Sequence, residues 1–88
     1  MLVKKLGVTN ALGLHLRAAA QLAKTASRYK CKISIKNDNG HADGKSTINL
    51  LSLCALGGSE VTVILDGNDE PDAWDAIRNL FASNFGEA

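Results

Sequence analysis

Proline is almost missing from this 88-residue chain, with Pro71 the only one. Chain reversals must therefore come from glycine, asparagine and aspartate, which tolerate positive φ or close local turns. Cysteine is nearly as scarce. Cys31 and Cys54 are too few for a disulfide scaffold and lack the C-x-x-C spacing of a zinc or redox motif. Both lie in apolar periodic segments and read as reduced core thiols. The aromatics are only Tyr29, Trp74, Phe81 and Phe85, which argues against a base-stacking platform. No excess charge of one sign exists: ten basic residues face nine acidic ones, for a net charge of +1. That balance argues against a binder of nucleic-acid backbones. No apolar run approaches the ~18 residues of a membrane span, and the N-terminus has no apolar signal region. The expectation is a cytoplasmic protein without membrane insertion or nucleic-acid partner.

What remains is enough for one core. An apolar content of 45% is ordinary for a globular domain. A single domain over residues 1–88 is expected, burying about 60–65% of its unfolded surface. Residues 2–8 read as a strand, with Leu2, Leu6 and Val8 of one parity and Lys4 the exception. Residues 9–13 form a loop. Ala19, Leu22, Ala23 and Ala26 recur at helical spacing over residues 16–27, opposite a stripe of Arg17, Gln21, Lys24 and Arg28. Residues 31–36 alternate strictly, so they form a half-buried strand. Asn37-Asp38-Asn39-Gly40 is a hairpin turn, returning through residues 41–43. Ser46 caps a short helix reaching Leu53 or Cys54, and Gly57-Gly58 closes the connection. Val61, Val63 and Leu65 share one face of a fourth strand over residues 60–65. Asp69, Glu70 and Asp72 suit the start of a last helix, with Pro71 in its first turn. Ala73, Ile77, Leu80 and Phe81 form that helix's buried stripe. The order is βαββαβα. Strand alternation leaves one sheet face covered, so the fold expected is a two-layer α/β (α+β) sandwich with all helices on one side.

One stretch does not fit a purely structural reading. Gly13-Leu14-His15-Leu16-Arg17-Ala18-Ala19-Ala20 puts a histidine where a helix begins. Ser, Thr, Asp or Asn would cap the free amides better. A helix start offers unpaired N–H groups and about half a positive charge, which together suit an anion. Arg17 adds a guanidinium able to grip phosphate oxygens in a fork. A helix start disfavours a second positive charge, which suits a neutral, nucleophilic ring, and histidine can form covalent intermediates. The stretch can thus hold a phosphoryl group on His15. An ordinary surface histidine is the competing reading. His41, with no acidic or cysteine partner at metal spacing, reads as a solvated strand residue, and no metal ligand set is evident from Cys31, Cys54 and His41. The short second helix is apolar on two sides: Leu50, Leu53 and Cys54 on one, Ile48, Leu51 and Ala55 on the other. A surface helix needs one buried stripe, so the second side reads as a face for partners.

In joint order and spacing these residues resemble the histidine-containing phosphocarrier (HPr) proteins of the bacterial phosphotransferase system. The resemblance spans Gly13-Leu14-His15 with Arg17, Ala19 and Ala20, Lys45-Ser46 opening a short helix, Leu53, Gly58, and the Asp66-Gly67-Asn68-Asp69-Glu70 turn with Ala73. It implies an open-faced βαββαβα sandwich with an antiparallel sheet of strand order 1-4-2-3 and three helices on one face. It further implies a carrier with a phosphohistidine intermediate rather than a stand-alone enzyme, needing no cofactor or metal. Enzyme I would be the donor and an enzyme IIA domain the acceptor. His15 would be modified at Nδ1, Arg17 would stabilise the phosphate, and Ser46 matches a serine that a kinase modifies for regulation. The family motif usually reads His-Ala-Arg-Pro; here it is His15-Leu16-Arg17-Ala18. The docking patch expected is Leu16, Ala20, Ile48 and Leu51, ringed by Arg17, Lys24 and Arg28, on a monomer. The alternative is a regulatory module that acts by docking, of the nitrogen-related or carbon-control type, rather than in sugar uptake.

Overall fold

Strict alternation in the second and fourth strands sets the frame of the molecule. The computed structural model describes residues 1–87. Its strands are β1 (Leu2–Gly7), β2 (Lys32–Asn37), β3 (Gly40–Asp43) and β4 (Glu60–Asp66). Its helices are α1 (Leu16–Ala26), α2 (Thr47–Leu51) and α3 (Glu70–Ala82), followed by a 3₁₀ turn over Asn84–Gly86. The sheet runs β1-β4-β2-β3 with every pair antiparallel. This is the open-faced sandwich and the strand order that the resemblance implied. Ile33 and Ile35 of β2 lie opposite Leu65 and Val63 of β4. All four are buried beneath the helices, because side chains two apart on a strand share a face.

The small residues of α1 let it lie close to the sheet. Ala18, Ala19, Leu22, Ala23 and Ala26 are buried, while Arg17, Lys24 and Arg28 point to solvent. In α3, Ala73, Ile77 and Phe81 are buried and Leu80 packs at the margin. Lys4, the odd residue of β1, sits across from Val63 on the helix-facing side. Its ammonium lies 5.9 Å from the centre of the Trp74 ring. An inward charge on an edge strand also discourages pairing with another sheet.

Two expectations need correcting. The second helix ends at Leu51 rather than at Leu53 or Cys54. Beyond it the turns tighten to i→i+3 bonds, Leu53 N to Leu50 O and Cys54 N to Leu51 O, each 3.2 Å. Asn37 and Asn39 both donate to the Leu53 carbonyl, at 2.9 and 2.8 Å. Cys54 then adopts a left-handed backbone, φ 49°. That twist breaks the helical register, so Cys54 is exposed and Ala55 buried, the reverse of the sequence reading. Only Cys31 is a core thiol. Burial, and then its hydrogen bond to Asp69, push that thiol above its ordinary pKa, which makes it inert.

The acidic start of α3 also has a role beyond its dipole. Asp69 accepts from the backbone N–H of Lys30 at 2.7 Å and of Cys31 at 2.9 Å. It ties α3 to the α1–β2 connection instead of capping its own helix. Glu70 accepts from Gly67 N–H at 3.0 Å and pairs with the N-terminal ammonium at 3.1 Å.

Candidate functional site

The loop before α1 is welded to the loop after α2, and this sets where His15 stands. Leu14 N–H donates to Ala55 O at 2.9 Å, and Gly58 N–H to Val8 O at 2.7 Å. The two chains pass so closely that a Cβ on Gly13 would lie 2.2 Å from Ala55 O. One on Gly57 would lie 2.6 Å from the carbonyls of Asn10 and Ala11. Gly13 also has φ +67°, open to glycine at little cost. Leu14 is buried and anchors the chain one residue before the histidine.

His15 is the N-cap of α1, with extended backbone and no side-chain hydrogen bond to the first turn. Its carbonyl accepts the first helical bond, from Ala19 N–H at 2.8 Å. The amides of the first turn are thus left without a capping side chain, as an anion site requires. The ring is 28% exposed. Arg17 is exposed on the same first turn.

The sequence reading missed the group nearest the ring. Glu87 Oε2 lies 2.6 Å from His15 Nε2. After α3, Asn84, Phe85 and Gly86 take left-handed backbones in succession, φ 54°, 56° and 76°. Such a run is costly for Asn and Phe. It is held by the buried Phe85 ring, whose centre lies 4.9 Å from that of Phe81, and by the hydrogen bond between Thr9 Oγ1 and Asn84 Oδ1. The reversal lays Glu87 against the histidine. Asn10, buried in the pre-helix loop, donates to Gly13 O at 2.8 Å and lies 3.4 Å from both Glu87 oxygens. Its Oδ1 is buried without a partner. Hydrogen bonding from His15, helped by Asn10 and the charge of Arg17, holds the Glu87 carboxyl below its ordinary pKa against the opposing effect of burial. A sequence signal existed only in outline: a buried-type aromatic, a glycine and one acid beyond the last helix.

The other singled-out residues differ in exposure. Leu16 and Ile48 are 65% and 80% exposed, and Ala20 is exposed as well. Leu51 is half-buried and packs against the core. Leu12 and Leu56, absent from the sequence reading, are also exposed, on the two welded loops. Ser46 lies at the N-cap of α2, its Oγ accepting from Asn49 N–H at 3.3 Å. His41 is exposed on β3, on a surface groove of about 620 Å³ that Lys30, Lys32 and Lys45 also line and that includes neither His15 nor Glu87.

A three-helix cover on a four-stranded antiparallel sheet, with a partly exposed histidine on an uncapped helix start, defines the class of small phosphocarrier domains. The sequence model of the PTS HPr component phosphorylation site matches residues 2–83. The phosphocarrier protein HPr of Cupriavidus necator is 38% identical over 87 residues, 99% of this chain and 98% of that protein. The crystal structure of HPr-C-His from Thermoanaerobacter tengcongensis superposes with TM-score 0.95 at 34% identity, covering 100% of this chain and 99% of that one. An HPr dimer from the same organism gives TM-score 0.78 at 35% identity over 93% of this chain and 94% of that one. The chain belongs to the HPr family of phosphocarrier proteins.

Proposed function

We propose that His15 is the residue that carries the phosphoryl group, received from phosphorylated enzyme I and passed to an enzyme IIA domain. The observation that carries this reading is a partly exposed imidazole at a helix start whose amides no side chain caps. Phosphoryl transfer leaves the protein little covalent chemistry beyond positioning and charge stabilisation. The first-turn amides and Arg17 supply both. A carrier needs a shallow site, because a deep phosphate cage would trap the group, and a ring 28% exposed is compatible with one. Leu16, Ala20 and Ile48, with Leu51 at their edge and Arg17, Lys24 and Arg28 around them, form the docking face. Such a face suits a transient interface with acidic partners, faster at low salt. The protein works as a cytoplasmic monomer in sugar uptake or in its nitrogen-related counterpart. Ser46 is a site for a regulatory serine kinase; a phosphate there is tolerated electrostatically at a helix start, at the cost of the cap it now provides.

The test is incubation with enzyme I and phosphoenolpyruvate, scored for one acid-labile phosphoryl group by intact-mass measurement. Uptake by the unmodified chain and none by His15→Ala is expected. Uptake that survives His15→Ala overturns the assignment. Arg17→Ala should slow transfer with the fold unchanged.

A further inference from the structure

We propose that Glu87 is a positioning residue for His15: its carboxylate holds a proton on Nε2 and so leaves Nδ1 as the atom that attacks phosphorus. The inference rests on the carrier reading above and adds a residue to it. A carboxylate can only accept, so a 2.6 Å contact with Nε2 places the hydrogen on that nitrogen. A neutral imidazole has one N–H, and its lone pair is then on Nδ1. The choice between the two ring nitrogens is made inside the chain, before any partner docks.

The carboxylate is held there from several sides. Three left-handed residues and the buried Phe85 turn the tail back. Asn10, 3% exposed, faces both carboxylate oxygens while its own amide is fixed to Gly13 O. The Glu87 side chain is 15% exposed, less than the ring it touches. The left-handed run, Phe85 and Glu87 lie beyond residue 83, where the match to the family's sequence model ends; Asn10 and His15 lie within it.

The carboxylate also suits the charge that develops on the ring. As the Nδ1–P bond forms, the donor's P–N bond breaks and the donor nitrogen takes the electron pair. The Nε2 proton stays in place, and the His15 ring gains positive charge. Glu87 faces that charge on the Nε2 side. The uncapped first-turn amides and the exposed Arg17 of the same turn are the groups available to the negative phosphoryl oxygens. A carboxylate beside Nδ1 would instead repel the incoming group.

The experiment uses ¹⁵N NMR of the His15 ring in the full chain at a pH where the ring is neutral, with phosphoramidate as a phosphoryl donor that requires no docking partner. The expected result is an Nε2–H tautomer in the unmodified chain, a mixture in Glu87→Gln, and phosphorylation slower by about tenfold or more in that variant. Glu87→Asp should restore part of both. A role limited to anchoring the tail would leave the tautomer unmoved. An Nδ1–H tautomer in the unmodified chain, or a rate and tautomer that Glu87→Gln leaves unchanged, overturns the proposal. If the unmodified chain takes no phosphoryl group, the carrier reading falls and takes the role of Glu87 with it. If it does and Glu87→Gln matches it, only the role of Glu87 falls.

Discussion

Helices α1 and α2 begin in the same way and solve the same problem differently. Both N-caps have extended backbone. Ser46 turns its oxygen onto the Asn49 amide. His15 turns its ring away, toward Glu87, and leaves its helix uncapped. An unpaired helix start costs stability. The difference is that one end is capped by its own side chain and the other leaves its first-turn amides without a side-chain partner. Both helices are held by a fully buried leucine, Leu50 in α2 and Leu22 in α1, and α1 adds a run of buried alanines and the preceding Leu14.

The strongest way to break this contrast is to give α1 the cap of α2. His15→Ser should abolish phosphoryl uptake while leaving stability equal or up to about 1 kcal/mol higher, read by intact mass and denaturant unfolding. A clear loss of stability would mean that the His15–Glu87 contact serves folding more than chemistry. The next effect in size lies within α2. Leu50→Ala should cost about 2–5 kcal/mol, while Ile48→Ala, two residues away and exposed, should stay within about 0.5 kcal/mol. Comparable losses would mean that Ile48 is packed and not free for partners. Ser46→Ala should cost about 1 kcal/mol, measured by denaturant midpoint; no loss would make the serine's place at the cap dispensable for folding.

The smallest effect is the response to acid. Glu87 is held below its ordinary 4.5 by the His15 hydrogen bond, and Asp69 below 3.8 chiefly by the Lys30 backbone N–H. A group whose folded pKa is depressed stabilises the fold fully above its unfolded value and loses that contribution as pH falls through the folded value. Melting temperature should therefore begin to fall near pH 4 and continue downward. Glu87→Gln should flatten part of that slope. The cap of α2, a hydroxyl, should contribute nothing to it. A slope identical in Glu87→Gln would show that Asp69 and other carboxylates account for it alone.

Residues with a short-range pattern were readable in advance. Ile33, Ile35, Val61, Val63 and Leu65 alternate, and their burial follows from the pleat alone. Ser46 precedes an apolar stretch, and its capping bond follows from local geometry. His15 and Arg17 were legible as neighbours at one helix start because both belong to the same first turn. Cys54 and Ala55 were misread because a single left-handed residue, set by packing of the following loop, shifts the helical phase. Lys4 was an exception without an explanation until Trp74, seventy residues on, came to lie beneath it.

By itself the sequence determined the alternating strands, the buried faces of α1 and α3 and the candidate histidine at a helix start, since each depends on neighbours within about one or two turns of chain. Only the tertiary structure decided what touches that histidine. Glu87 is 72 positions from His15 along the chain, and no local periodicity connects them. Their meeting depends on where α3 ends, on three successive left-handed residues and on a buried phenylalanine. Hydrophobic packing thus places the carboxylate, and a hydrogen bond 2.6 Å long then gives the ring its orientation.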